Sequence, residues 1–383
     1  MAGPLAGIRV VELAGIGPAQ LGAMILSDLG ASVVRIDRTD EVPASRPPAP
    51  SPELLARGRR SVALNLKSAR GRRAALALIQ SSDVLLDPYR PGVLERLGLD
   101  PAQLTSDQAN LLVARMTGWG QHGTLAASAG HDINYIALAG ALEPIGPPDR
   151  PPTVPLNLVA DFGGGGMLLA VGVLAGLFER ERSGRGQVID VAMIDGVATL
   201  LTSILQLAAS GTWSARRGEN WVAGAAPWYR AYATRDGRFL TVGPLEPKFY
   251  AQLLGRLGLD LDDWPQWDRT LWPALEERLG DAFAGRTLRE WDDLLEGTDV
   301  CYAPVLSVAE AAAHPHISSR GTYVEVGGVL QPAPAPRFER TPGAIDRPPP
   351  WPGQHTREVL EALELPPGMV EEMLSSGEAV ELA

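Results

Sequence analysis

Gly7-Ile8-Arg9-Val10-Val11-Glu12-Leu13 leads through Gly15-Ile16-Gly17-Pro18 into the apolar run from Ala19 to Leu29, and then into Ala31-Ser32-Val33-Val34-Arg35-Ile36. The first piece is rich in apolar and β-branched residues and bounded by glycine, which predicts a strand. Pro18 suits the first turn of a helix, and Leu21, Met24, Ile25 and Leu29 recur at helical spacing. The last piece predicts a second strand, ending at Asp37-Arg38. Together they form a strand–helix–strand unit, the building block of a parallel sheet. Asp37 lies 22 positions beyond Gly15, a superficial likeness to a dinucleotide-binding start. Gln20 stands where the G-x-G-x-x-G pattern needs its third glycine, so NAD is set aside.

The alternation continues. Ser61 to Leu66, Asp83 to Leu86 and Leu111 to Met116 predict strands, separated by helices over Ala69 to Gln80, from Val93, and over Asp100 to Asn110. A long apolar helix, Gly166 to Glu181, precedes a strand at Val188 to Val191. This order predicts an α/β fold: a Rossmann-like, doubly wound parallel sheet in a large domain spanning 1–200. A nearly uncharged helix, Ala192 to Ser210, runs into a linker of helix and loop at 201–224. Residues 225–325 change texture. A hairpin turns at Arg235-Asp236-Gly237-Arg238, helices follow near 247–258, 270–284 and 287–296, and a strand at Cys301 to Leu306 closes a small α+β domain. Residues 326–383 form a proline-rich return linker and C-terminal helices, 357–363 and 369–375, packing back on the large domain.

The chain has 383 residues, ample apolar content and one cysteine, so no internal disulfide and no thiolate metal site is expected. His314-Pro315-His316 reads as a turn rather than a metal site, and no metal is expected anywhere. No run of about 18 uncharged apolar residues exists, and Met1 to Leu5 lacks the basic-then-apolar pattern of a secretory signal, so a cytoplasmic protein without a membrane partner is expected. The net charge of −11 argues against nucleic acid. Yet residues 57–73 hold Arg57, Arg59, Arg60, Lys67, Arg70, Arg72 and Arg73 with no acid. Such an island is either a solvated face or a seat for a small polyanion. Arg38, Lys67, Arg90 and Arg115 all fall at or beyond predicted strand ends, where ligands of such sheets gather, which favours the polyanion.

A second stretch carries chemistry. Gly130-His131-Asp132-Ile133-Asn134-Tyr135 and Asn157-Leu158-Val159-Ala160-Asp161-Phe162, followed by Gly163 to Gly166, put an imidazole and a carboxylate 30 positions apart. Both groups can move protons near neutral pH when tuned. Asp161 reads as the start of a helix, whose N–H groups favour negative charge, and the glycines would let a ligand approach the backbone. The pattern suits proton transfer next to a carbonyl. A structural histidine with an aspartate N-cap is the alternative. Asp161-Phe162-Gly163 matches the kinase metal-binding tripeptide, but the accompanying kinase motifs are missing. Glu246 ends an apolar strand before a proline, either as a functional acid or as a favourable first-turn residue.

Beyond these readings, the chain resembles the family III CoA-transferase superfamily, and within it the branch that racemises acyl-CoA thioesters. The likeness is carried by Val10-Val11-Glu12-Leu13-Ala14, Leu26-Ser27-Asp28-Leu29-Gly30-Ala31, Leu64-Asn65-Leu66-Lys67, Tyr89-Arg90-Pro91-Gly92-Val93, Gly130 to Tyr135, Asp161 to Gly165 and Gly184-Arg185-Gly186-Gln187. Gly130-His131-Asp132-Ile133-Asn134-Tyr135 is the part that marks a racemase rather than a transferase. The resemblance implies an interlocked homodimer that brings Glu246 of one subunit over the His131/Asp161 pair of the other. It implies CoA near Arg38, Leu64, Asn65, Leu66, Lys67 and Arg90, with Arg115, Gly130, Asp132, Ile133 and Asn134 completing the substrate-binding set. Asn157, Tyr135 and Glu246 would orient the imidazole. Asn65, where the family often has Asp, and the proline-rich loop 41–52 are departures at the CoA rim. The implied activity interconverts (2R)- and (2S)-2-methylacyl-CoA through an enolate, with no cofactor beyond the CoA thioester itself. A CoA-transferase with Asp161 as nucleophile is the alternative, and a non-catalytic CoA-ester binder a second one.

Overall fold

A computed structural model describes residues 3–383, which divide into two compact units. The first holds residues up to Ala139, Pro155–Leu201 and Gly321–Ala383; the second holds Gly140–Val154 and Thr202–Arg320.

In chain order the first unit starts with β1 (Arg9–Leu13), α1 (Pro18–Asp28), β2 (Ser32–Asp37), β3 (Arg59–Leu64), α2 (Ala69–Gln80) and β4 (Val84–Asp87). It continues with α3 (Val93–Arg96), α4 (Pro101–Asp107), β5 (Leu112–Thr117), α5 (Asp132–Leu138), α6 (Met167–Ser183), β6 (Val188–Ala192) and α7 (Met193–Leu200). The second unit holds α8 (Thr202–Ala209), β7 (Arg230–Ala233), β8 (Phe239–Val242), α9 (Pro247–Arg256), α10 (Trp272–Ala284), α11 (Leu288–Leu295), β9 (Tyr302–Pro304), α12 (Val308–Ala313) and α13 (Pro315–Ser319). The chain then returns to the first unit with β10 (Tyr323–Val326), β11 (Val329–Pro332), α14 (Thr356–Glu361), α15 (Met369–Ser376) and β12 (Ala379–Val380).

The large sheet has the order β12-β3-β2-β1-β4-β5-β6, parallel except for β12, which runs antiparallel to β3. Strand order reverses between β1 and β4, and crevices form outside the carboxyl ends of strands at such a point. Val10, Val11, Leu13, Val34, Ile36, Leu85, Leu86 and Val113 are all at most 5% exposed, as expected of strands covered on both faces.

The basic island resolves differently from the sequence reading. Arg57 and Arg59 are buried and paired with Asp28 and Glu12, at 2.5 and 2.9 Å, and Arg70 meets Glu378 at 2.5 Å. Arg60 pairs with Glu358 at 3.2 Å. The acids come from distant parts of the chain, so local counting saw cations without partners. The Arg57 guanidinium also donates to Gln331 and to the Pro332 carbonyl. That ties the β10–β11 hairpin to the first unit rather than to the small domain that the sequence extended to 325 and followed with a linker.

Two further expectations change. The helix expected over Ala192 to Ser210 is two helices, because the Leu201 N–H is shared between the Val197 and Ala198 carbonyls and the turn tightens there. Residues 201–224, expected as a linker, are counted with the second unit, where Gly218 lies against Pro148. That unit has its own core around Trp228, Tyr250, Leu253, Phe283 and Trp291, on the antiparallel sheet β7-β8-β9.

Leu158–Gly166 is a π-helix that continues directly into α6. The combined helical run, Leu158–Ser183, is long and apolar enough to pass for a membrane span, with a mean hydropathy of 1.8. The inner face of α6, including Leu169, Val173 and Leu177, is buried.

Candidate active site

A cavity of about 450 Å³ opens at the point where the strand order reverses. Its walls include Gly17 and Pro18 after β1, Pro88 and Arg90 after β4, and Gly118 and Trp119 after β5. His131 and Asp161 line it from two further directions.

His131 is the N-cap of α5. Its backbone N–H donates to Asn134 Oδ1 at 3.0 Å, and its carbonyl accepts from the Asn134 N–H at 2.8 Å. Asn134 therefore fastens the start of the helix and is not part of the cavity wall. Ile133 is 41% exposed and likewise outside it. Asp132 and Ile133 supply the first two N–H groups of α5, which have no intrahelical acceptor and carry the positive end of the helix dipole.

Asp161 sits in the π-helix, one turn in from its start. Asn157 Nδ2 donates to Asp161 Oδ2 at 3.2 Å. The Asp161 carboxyl is pushed above the usual carboxylate range, first by burial, then by the charge of Asp132; the Asn157 hydrogen bond and His131 pull the other way. Asn157 thus orients the carboxylate, not the imidazole as the sequence reading had it.

Tyr135 also has a different role from the expected one. Its hydroxyl donates to the Gly130 carbonyl at 2.5 Å, and its ring is wedged beside Gly118, where a Cβ would lie 2.1 Å from the ring. Trp119 packs edge-on against it with centroids 4.7 Å apart. Tyr135 braces the turn ahead of His131 rather than touching its ring by a hydrogen bond. Burial raises its phenol pKa.

Asp132 was expected to touch substrate. It is 4% exposed, and its Oδ2 accepts the backbone N–H groups of Ala160 and Asp161 at 2.7 and 2.8 Å. The four glycines after Phe162 also serve packing rather than ligand approach. A Cβ on Gly164 would lie 2.9 Å from the Val197 nitrogen, and one on Gly166 would lie 2.8 Å from Leu21 Cβ. A wide π-helix can lie this close to α1 and α7 only without side chains.

A second groove, of about 460 Å³, lies outside β2, β3 and β4. It is lined by Arg38, Leu64, Asn65, Leu66 and Lys67, with Tyr89 at its border. Asn65 Oδ1 accepts the Lys67 N–H at 3.0 Å and shapes the turn. Arg38 is held by Asp40 at 2.5 Å but remains exposed. Tyr89 faces this groove while Arg90, its neighbour, lines the cavity, so one turn borders both. Arg115 joins neither wall of this pair. It is 7% exposed and forks between Asp87 at 3.0 Å and Glu95 at 2.8 Å, which makes it an internal ion pair. Glu246 is the exposed N-cap of α9 in the second unit, its carbonyl accepting the Phe249 and Tyr250 N–H groups. The sequence reading did not single out Pro88, Ile16 or Met193, all of which line the cavity; nothing local distinguishes them from ordinary apolar residues.

The model of CoA-transferase family III matches residues 5–356. The chain belongs to this family. Among its relatives are proteins named alpha-methylacyl-CoA racemase. The mouse protein is 44% identical over 359 residues, 93% of this chain and 92% of the relative; the human one is 43% identical over 360, with the same coverage. Among solved structures, a CAIB/BAIF family protein from Brucella suis superposes with a TM-score of 0.80 at 25% identity, covering 95% of this chain and all of that one.

Proposed function

We propose that the protein racemises 2-methylacyl-CoA thioesters at C2. The observation that carries this is the meeting in one cavity of His131, at the N-cap of α5, and Asp161, in the π-helix, beside a groove with exposed cations. The two racemase relatives, similar over nearly their whole length, support the same reading.

The chemistry follows from the thioester. Its carbonyl acidifies the α-proton. One base takes that proton from one face, the electron pair moves onto the carbonyl oxygen as an enolate, and the conjugate acid of the other base returns a proton to the opposite face. His131 and Asp161 each serve one face. Positioned acid–base groups contribute about 10²–10⁴-fold. The N–H groups at the start of α5 are the available donors for the enolate oxygen, since the Asp161 N–H is already taken by Asp132. The raised pKa of Asp161 suits a carboxylate that must also act as an acid. CoA would lie in the groove at Arg38 and Leu64 to Lys67, reaching the cavity past Arg90. The reaction as written calls for no metal or redox group.

We also propose an interlocked homodimer in which Glu246 of the partner subunit covers this cavity and orients His131. The family resemblance motivates it, and Met167, Val171 and Phe178, which form an exposed apolar stripe along α6 at 53%, 56% and 67%, give it a surface to bury. A monomer in sedimentation at micromolar concentration would remove this placement of Glu246.

The deciding experiment is α-proton exchange in deuterium oxide with each epimer. The protein should exchange both and interconvert them. His131→Ala and Asp161→Ala should abolish racemisation while keeping exchange of opposite epimers. Full racemase activity in His131→Ala sinks the two-base reading. CoA transfer to an acceptor acid without exchange would establish the Asp161-nucleophile alternative, and binding alone the third.

A further inference from the structure

Asp132 stands next to His131 in sequence, yet its side chain turns away from the cavity and into the protein. Oδ2 takes two backbone N–H groups, those of Ala160 and of Asp161 itself. Oδ1 is buried and accepts no hydrogen bond among the described residues. A carboxylate left half-satisfied in the interior is costly, so its retention needs a purpose.

We infer that Asp132 is a positioning residue: its carboxylate ties the backbone of one base to the helix start that carries the other, and keeps a negative charge behind the Asp161 carboxylate. The inference rests on the two-base reading above. Among the described residues this link is what hydrogen-bonds α5 to the π-helix, and without it the separation of the two bases would drift. The charge acts on Asp161 in the same sense as burial, toward the protonated form.

The ionisable groups around Asp161 are few. α5 contributes His131, Asp132 and Tyr135, and the turn after β4 contributes Arg90. Against the π-helix, α1 sets Pro18 and Leu21, and α7 sets Met193 and Val197, none of them charged. Asp132 is therefore the near anion whose removal Asp161 should report.

Two substitutions separate the tie from the charge. Asp132→Asn keeps an oxygen able to accept both N–H groups, with its NH2 at the position of Oδ1, and removes the charge. Asp132→Ala removes both. The readout is deuterium exchange of each epimer against pH. In Asp132→Asn, the pH limb belonging to Asp161 should move to lower pH. In Asp132→Ala, exchange of the Asp161-dependent epimer should fall about 10²-fold, the scale of a misplaced catalytic group. An unmoved Asp161 limb overturns the inference. So does a raised KM with the Asp161 limb and kcat unchanged, which would make Asp132 a substrate contact. Should either variant fail to fold, amide exchange in the unmodified protein still decides: the Ala160 and Asp161 N–H groups should exchange far more slowly than those of exposed Asn157 and Leu158, and equal rates overturn it. Asp161→Asn separates the two ideas. Retained racemisation there sinks the two-base reading, while slow amides would still show the tie.

Discussion

Gly196→Ala tests how Asp161 is held. Gly196 lies in α7 against the π-helix, and a Cβ there would stand 1.9 Å from the Gly164 carbonyl oxygen and 2.6 Å from its carbon. Both atoms are backbone, so no side chain can rotate away. Ordinary contact requires well over 3 Å, so the helix and the π-segment must separate by an ångström or more. Overpacking of this kind costs about 1–3 kcal/mol, against about 1 kcal/mol gained by replacing a helical glycine with alanine. The net expectation is a loss of up to about 2 kcal/mol. Gly172→Ala is the matched control in α6, because its Cβ would meet Ile189 Cγ2 at an ordinary 3.5 Å. It should gain about 0.5–1 kcal/mol. Urea midpoints should therefore rank Gly172→Ala above the parent and Gly196→Ala below it. Asp161 rides on the displaced segment, so exchange of its epimer should fall by up to about 10²-fold in Gly196→Ala and stay unchanged in Gly172→Ala. If both variants behave alike in stability and exchange, the close glycine contact does not exist as described.

Arg38→Ala and Arg90→Ala should raise the CoA-ester KM more than they lower kcat, since contacts to remote anions are similar in ground and transition states; steady-state kinetics that show kcat losses alone would count against them as binding residues. Arg115→Ala should instead lower the melting temperature, because fully buried Asp87 loses its partner, at a cost of about 3–5 kcal/mol; a raised KM with unchanged melting would restore Arg115 to the rim. Asp37 is raised to about 6, first by burial. With the folded pKa above the unfolded one, its contribution to stability is full below the ordinary carboxylate range and is lost as pH rises through about 6. Urea midpoints of the parent should contain this step and those of Asp37→Asn should lack it.

The strand–helix alternation was legible because its periods are local. Val10, Val33, Val62, Val84 and Val113 announce buried parallel strands, and Pro18 and Asp100 announce helix starts that the structure contains. What was illegible depends on partners far away in sequence. β12 is two residues long and exists because β3 offers an edge. The π-helix read as a helix start with glycines open to a ligand, since only α1 and α7 explain why side chains are missing there. Arg115 gave the same signal as Lys67, but it lies inside β5 in register with Asp87, while Lys67 lies beyond the end of β3. Asp132 carried the sharpest ambiguity. A polar residue beside a histidine proposed as a base reads as a substrate contact, and only the burial of its carboxylate reveals an inward partner.

The fold brings His131 and Asp161 together by close backbone packing at the π-helix and by the Asp132 tie, and the close packing explains the unusual composition around Asp161. Glycine is about 1 kcal/mol worse than alanine in a helix interior, so four in succession would ordinarily unravel a turn. Here Gly163 to Gly166 are held from outside by Pro18, Leu21, Met193 and Val197. The π-helical backbone can then lie within contact of α1, the helix that begins where β1 ends. That closeness is what sets Asp161 in the crevice between β1 and β4. His131 enters the same crevice from a helix whose start is capped by Asn134 and braced by Tyr135. His131 at the N-cap of α5 and Asp161 within the π-helix are thus each pinned by their own neighbours. A site built this way leaves no room for a methyl group at the glycine contacts that fix its depth.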